Sequence, residues 1–332
     1  MKLVRSLSVE TGFSEIEVRR ILKTASYRYK TYYIEKRHGG KRLIEQPTPE
    51  VKRCQRWAAR NIIYKLPRHE AATAYIRRMS ILSNASAHKE GKYLLKMDFK
   101  NFFPSITALD FRRHLAAHWK LEVESDEVDL LSRLLFRKTD DGLRLTIGAP
   151  SSPPLANTIM FEFDSLLQSA CSERKITYTR YADDLSFTAS KRDTLMSTVA
   201  LVNGICGSIA YPRLAINSKK TVFVSPKYRR TITGLVLTTK GSVSLGRERK
   251  RRLSAAVHSA LNGKLDQLEV AQLKGNLAFA WSIEKEFLFR LIRKYGSGSL
   301  SPLVPEIAIR MFADQLPEQA PWQSEQDRGQ VL

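Results

Sequence analysis

The stretch that most limits how this chain can fold is ITYTRYADDLSFTAS, residues 176–190. Ile176 and Tyr178, then Leu185, Phe187 and Ala189, alternate with polar neighbours, a two-residue period that predicts two short strands. A tight hairpin favours Asn-Gly or Gly-Gly at its turn, yet two adjacent aspartates, Asp183 and Asp184, stand at this join. Both are ionised at neutral pH, since an unperturbed aspartate has a pKa of about 3.9. At about 4 Å two like charges repel by roughly 1 kcal/mol in water and about 4 kcal/mol at an effective dielectric of about 20. Asn or Gly would serve a purely structural turn better, and a solvated tip with two harmless acids is the bland alternative. Divalent cations in front of the pair would make it favourable, because Mg²⁺ is held by one or two carboxylates together with substrate phosphates.

A second acid sharpens this. KYLLKMDF, residues 92–99, reads as an apolar strand closed by Asp98, and FKNFF follows with three phenylalanines in five residues. A carboxylate ending a buried strand beside aromatics is rarely a merely solvated charge. If that strand lies beside the hairpin, Asp98, Asp183 and Asp184 converge. Three carboxylates can hold two metals about 3.5–4 Å apart, the clamp for in-line displacement at phosphorus. The chain has no GxxxxGK[ST] loop, and no Ser–His–Asp order or Cys–His pair lies near these acids. Covalent nucleophilic catalysis and P-loop hydrolysis fit poorly, which leaves metal-dependent nucleotidyl transfer.

Such chemistry on nucleic acid would explain the charge. Among 332 residues, 55 Lys and Arg face 33 Asp and Glu, a net +22, which attracts polyanions, nucleic acid foremost. No long amphipathic basic helix supports an anionic membrane instead. Cys54, Cys171 and Cys206 form no CxxC pair and fit a reducing, cytoplasmic setting. The N-terminal MKLVRSLSVETGF lacks a signal-peptide core, and no run of 18 apolar residues occurs, so no membrane partner is expected.

Along the chain, Ser14-x-x-Glu17 predicts a capped packing helix over 14–30. TYYIEKRHGGKRLIEQP (31–47) predicts a hairpin around Gly39-Gly40, and 49–66 a helix with Val51, Cys54, Trp57, Ala58 and Ile62 on one side. LGRERKRRL, from Leu245, opens a basic helical section, and the last dozen residues are polar and expected to fray. Strands and helices mix without a βαβ repeat, an α+β class.

On YADD (181–184) and the upstream MDFKNFFPSI (97–106), the chain resembles the reverse transcriptases. Further blocks follow in the family's order: GAPSSPPLAN (148–157), INSKKT (216–221) and ITGLVL (232–237). NASAH (84–88) and Ile232-Thr233-Gly234 are similar to the NAxxH and VTG elements of bacterial retron enzymes. A group II intron-like enzyme and a non-catalytic RNA-binding scaffold are the competing readings.

The resemblance implies a right-hand polymerase with fingers, an antiparallel-sheet palm and a helical thumb. Its divisions would be an N-terminal helical extension (1–30), fingers (31–92 and 112–150), palm (93–111 and 151–244), thumb (245–300) and a C-terminal tail (301–332). It implies two Mg²⁺ ions, with Mn²⁺ as a substitute. Asp98 and Asp183 would bridge both, Asp184 would hold mainly the ion that activates the primer hydroxyl, and the Phe99 carbonyl would complete the nucleotide-side ion. Lys220, with Lys219 as the alternative, would serve as general acid to the departing pyrophosphate. Lys41 and Arg42 would grip the triphosphate, Phe103 would crowd the sugar 2′ position against ribonucleotides, and Gly148 and Ala149 would pack under the incoming dNTP. Thr233, Gly234, Arg247, Arg249, Lys250, Arg251 and Arg252 would contact RNA, whereas His88 reads as a satisfied structural histidine. The implied partners are a cognate msr–msd type non-coding RNA, the branched RNA–DNA (msDNA) product and a separate effector protein in defence against phage. Two positions depart from the pattern: Thr146-Ile147 replaces the usual Pro-Gln, and Ala74-Tyr75 an upstream Gly-Phe.

Overall fold

A computed structural model describes residues 3–36, 39–119 and 124–314. Two compact units emerge, Met1–Thr233 with Leu237–Ser242, and Gly234–Val236 with Val243–Leu332.

The first unit opens with helices α1 (Leu3–Thr11) and α2 (Glu15–Thr24). Ser14 and Glu17 cap α2 reciprocally, satisfying amides that the first helical turn leaves without partners. The helix expected to reach residue 30 stops at Thr24. A 3₁₀ turn at Ala25–Tyr27 intervenes, and β1 (Tyr29–Glu35) takes the aromatic residues into an antiparallel pair with β2 (Lys41–Pro47). Pro49 then starts α3 (Pro49–Asn61) at a position where its missing N–H costs nothing. Val51, Cys54, Trp57 and Ala58 recur at helical spacing and are buried, and fully burying a large apolar side chain contributes about 1.5–3 kcal/mol.

After α4 (Ile81–Ala87) comes β3 (Tyr93–Asp98), then α5 (Phe102–Ser105), α6 (Ala108–His118) and α7 (Ser125–Leu135). A small hairpin, β4 (Arg137–Thr139) and β5 (Gly142–Arg144), leads to α8 (Ser152–Ile159) and α9 (Phe161–Glu173). The central hairpin is β6 (Thr177–Tyr181) and β7 (Asp184–Ala189), followed by α10 (Arg192–Met196), α11 (Thr198–Ser208) and β8 (Val222–Val224). These strands form an antiparallel sheet in the order β6-β7-β3-β8. Interior places in the sheet explain why most residues of β3 and β7 are buried on both faces, the small polar Ser186 and Thr188 among them. Leu3, Leu7 and Leu22 share one core with Leu134, Phe163 and Phe187, so the N-terminal helices pack into this core.

Short strands β9 (Arg230–Ile232), β10 (Leu235–Leu237) and β11 (Val243–Ser244) mark the chain's passage to the second unit. That unit is helical: α12 (Arg247–Leu261), α13 (Gln267–Ile283), α14 (Lys285–Tyr295), α15 (Ser297–Leu300) and α16 (Glu306–Ala313). Val257, Leu277, Leu288 and Ile292 fill its centre. Leu303, Val304 and Ala308 are also buried, and α16 packs on α14. Apolar side chains thus hold 301–314, the segment expected as a tail, to the helices. The last dozen residues, where fraying was expected, lie within 315–332, outside the described residues. Among the described residues no helix is long and apolar enough to cross a membrane.

Candidate active site

The register of the sheet assembles the acids. Asp98, last in β3, pairs across the strands with Asp184, first in β7, and opposite residues of an antiparallel pair project to the same face. The Phe99 amide donates to the Asp183 carbonyl at 3.2 Å, tying the end of β3 to the hairpin turn. That turn is not the aspartate pair itself: Tyr181 pairs with Asp184, leaving Ala182 and Asp183 as the connecting residues. Ala182 has φ +58°, the left-handed region where residues with a Cβ are uncommon.

Charge crowding is severe. Asp98 is only 7% exposed. Burial, reinforced by the charge of Asp98, raises the Asp183 pKa, and burial with the charges of Asp183 and Asp98 pushes Asp184 up to about 6. The cations acting on these two acids include Lys220, Arg42 and Lys96. Lys220 Nζ donates to Asp98 Oδ2 at 2.9 Å, and this bond is the main cause of its own raised pKa. No corresponding contact is found for Lys219 among the described residues.

Among the described residues no three acidic, histidine or cysteine side chains are gathered around one cation position. What fits a divalent ion is the chemistry of the donor set: hard oxygen donors, partly buried and short of compensating charge.

The other anticipated residues near the sheet sit on β2 and on the segments that follow β3 and β5. Successive residues of a strand point to opposite faces, so Arg42 and Lys41 of β2 diverge; Arg42 acts on Asp183, and Lys41 pairs in register with Glu35. The Ile147 carbonyl accepts from the Glu45 amide at 2.8 Å. A Cβ on Gly148, φ +125°, would come within 2.8 Å of the Glu45 carbonyl oxygen, so only glycine lets this segment approach β2 so closely. Ala149 is buried beside it. Thr146 Oγ1 is buried without a hydrogen-bond partner among the described residues, and Thr146 and Ile147 supply no side-chain amide to a nucleotide. Phe102 is buried and stacks on Phe99, while Phe103 is half-buried and meets Phe102 edge-on. Tyr75, φ +60°, is exposed and feels the charge of Asp183.

Comparison with known proteins decides what this arrangement belongs to. Residues 34–246 match the reverse transcriptase (RNA-dependent DNA polymerase) family. Retron Ec83 reverse transcriptase of Escherichia coli is 39% identical over 279 residues, 83% of this chain and 89% of that protein. Retron Ec86 reverse transcriptase, also from Escherichia coli, is 32% identical over 310 residues, 91% of this chain and 93% of its own. The chain belongs to the retron reverse transcriptases. It is thus an RNA-directed DNA polymerase with an α+β polymerase fold, and the intron-like and non-catalytic alternatives fall away.

In this reverse transcriptase the NASAH element is a buried knot. His88, fully buried, bonds Thr188 Oγ1 of β7 at 2.9 Å and Thr179 Oγ1 of β6 at 2.7 Å. Asn84 Oδ1 accepts from Thr179 and Thr73. Burial lowers the His88 pKa to about 3, so the ring is neutral and structural. Thr233 Oγ1 donates to the Ile81 carbonyl of α4 at 3.3 Å, with Gly234 following at φ +82°.

In the second unit of the reverse transcriptase, Arg247, Lys250 and Arg251 line an open groove of about 510 Å³ with Ser254, Phe287 and Arg290. Arg249 instead lies over the Phe279 ring, and Arg252 pairs with Glu248. Glu284 accepts from Ser244 Oγ, the Leu245 amide and Lys250 Nζ, and lies 3.6 Å from Arg290.

Sequence reasoning missed Arg180, Asp164 and Asn157, which meet beneath the hairpin. One signal was available: Arg180 occupies the inward register of Ile176 and Tyr178, where a charge demands a partner.

Proposed function

We propose that this enzyme copies part of a cognate structured non-coding RNA into single-stranded DNA, and that Asp98, Asp183 and Asp184 form its catalytic set. The observation that carries the reading is the direct register of Asp98 against Asp184, with Asp183 in the adjoining turn. In this proposal the four-stranded sheet is the palm, the β1–β2 hairpin belongs to the fingers and the second unit is the thumb. Two Mg²⁺ ions, held by the three carboxylates and the Phe99 carbonyl, would supply Lewis-acid stabilisation to the attacking and leaving oxygens.

The chain's own residues do the rest. Arg42, which acts on Asp183, binds the triphosphate of the incoming dNTP, Lys41 adds its charge from the other face of β2, and Gly148 and Ala149 floor the site. Phe103 crowds the sugar with its flat ring and excludes a 2′-hydroxyl. Lys220 leaves Asp98 to hand a proton to the departing pyrophosphate. Arg247, Lys250, Arg251 and Arg290 hold the RNA-containing duplex through its phosphates, Arg249 and Arg252 flank them, and Thr233 and Gly234 meet the cognate RNA. Priming from an internal RNA 2′-hydroxyl, the branched msDNA product and action with a separate effector against phage belong to the same proposal.

The test is extension of primed RNA by purified enzyme with labelled dNTPs. Asp183→Asn lowers the rate by on the order of 10³-fold or more, and chelator abolishes wild-type extension. Extension by Asp183→Asn at the wild-type rate would overturn the assignment.

A further inference from the structure

Among the described residues Arg180 is the largest fully buried side chain, at 0% exposure. A guanidinium cannot lose its charge to suit such a place, so it must be paired and hydrogen-bonded. Asp164 of α9, also fully buried, takes the fork: Arg180 Nε donates to Oδ1 at 2.9 Å and Nη2 to Oδ2 at 2.5 Å. The Tyr178 hydroxyl adds a third donor to Asp164 Oδ1 at 2.7 Å. The guanidinium is thereby locked in plane and has one nitrogen left, Nη1. That nitrogen donates to Asn157 Oδ1 and to the Ala182 carbonyl, both at 3.1 Å. Asn157 is itself fixed, because its Nδ2 donates to the Ala74 carbonyl at 2.8 Å.

Ala182 is the turn residue that immediately precedes Asp183, and its positive φ is one that a residue with a Cβ seldom holds without support. We propose that Arg180 is a positioning residue for polymerisation: held by Asp164 and Asn157, it fixes the Ala182 carbonyl and so sets the direction in which Asp183 presents its carboxylate towards Asp98 and Asp184. The proposal rests on the reading of those three acids as the metal-holding set. Apolar side chains of the same volume would fill this part of the core as well, since a buried ion pair is weak evidence of a stabilising role. What they cannot supply is a donor aimed at the turn. Lysine could keep the charge but has no planar fork to engage Asp164 and the turn together.

The test uses the full chain, with the double variant Arg180→Met/Asp164→Leu and the single variant Arg180→Lys beside wild type and Asp183→Asn. Thermal melting reports folding, steady-state extension separates kcat from the KM for primed RNA, and electron paramagnetic resonance of a Mn²⁺ titration reports ion affinity without substrate. The double variant is expected to fold and to keep its KM, while kcat falls roughly 100-fold, the scale of a 1 Å misplacement, and Mn²⁺ binds several-fold more weakly. Arg180→Lys moves kcat and Mn²⁺ affinity in the same direction by less. A double variant that does not fold hands the decision to Arg180→Lys. If the folded variants keep kcat and Mn²⁺ affinity within about twofold of wild type, Arg180 is structural filling and the proposal is wrong. An active Asp183→Asn would instead remove the catalytic reading on which it stands.

Discussion

One hairpin carries two opposite electrostatic states a few residues apart. At its turn, Asp183 and Asp184 face Asp98, and burial with mutual repulsion raises the pKa of both hairpin acids. Along β6, Arg180 has Asp164, Asn157 and the Ala182 carbonyl, while Thr179 and His88 satisfy one another. The first region is left short of opposite charge, and the second is closed. A polar group with all its partners rigidifies its surroundings, whereas an uncompensated one is held ready for something that arrives later. The closed region makes the open one possible, because repelling carboxylates stay together only on a frame that does not yield.

The largest effect expected from breaking this contrast comes from the closed region. Arg180→Met alone leaves Asp164 buried without its cation and should reduce unfolding free energy by about 3–5 kcal/mol, read from denaturant titration. A loss below that of a surface substitution would show that water or neighbours compensate Asp164.

Acid comes next. His88 and His114 are pressed to about 3 by burial. Below the unfolded-state value near 6.5 the unfolded chain takes up protons that these folded rings refuse. Stability therefore falls as pH drops from about 6.5 towards 3, by up to about 1.4 kcal/mol per pH unit for each ring. His88→Gln should flatten that slope; an unchanged slope would mean that the ring becomes protonated in place.

The smallest effect, with the opposite sign, belongs to the turn. With Asp184 raised to about 6, the folded chain holds this proton more tightly than the unfolded one. The group's contribution then declines as pH rises from about 3.8 through 6, and its charged form is a net cost at pH 7. Asp184→Asn should raise Tm by about 2–4 °C in chelator, the equivalent of about 1 kcal/mol. A lower Tm would show that this acid is already compensated.

The sequence made the hairpin, the strand ending in Asp98 and their meeting legible, because a two-residue period and an apolar run specify partners strongly. It did not distinguish a turn at Ala182-Asp183 from one at the two aspartates, since both leave the apolar alternation intact. The helix over 14–30 was drawn too long because Tyr27 and Tyr29 can serve a helix face or a strand, and only pairing with β2 selects the strand. The Arg180–Asp164 pair was hidden for another reason. Its partners lie 16 residues apart on a strand and a helix, and only tertiary packing brings them together. NASAH was visible as a pattern, but its threonine partners, contributed by β6, β7 and the segment at Thr73, were not.

Glu284 joins the start of α12, with its run of arginines and Lys250, to α14, and it is well covered by its neighbours. Ionic strength weakens contacts at an open surface far more than those shielded from solvent. Rising salt should therefore strip a polyanion from the arginine face long before it loosens the helices that display those arginines. If the arginine face holds nucleic acid as proposed, the second unit can release it and remain folded.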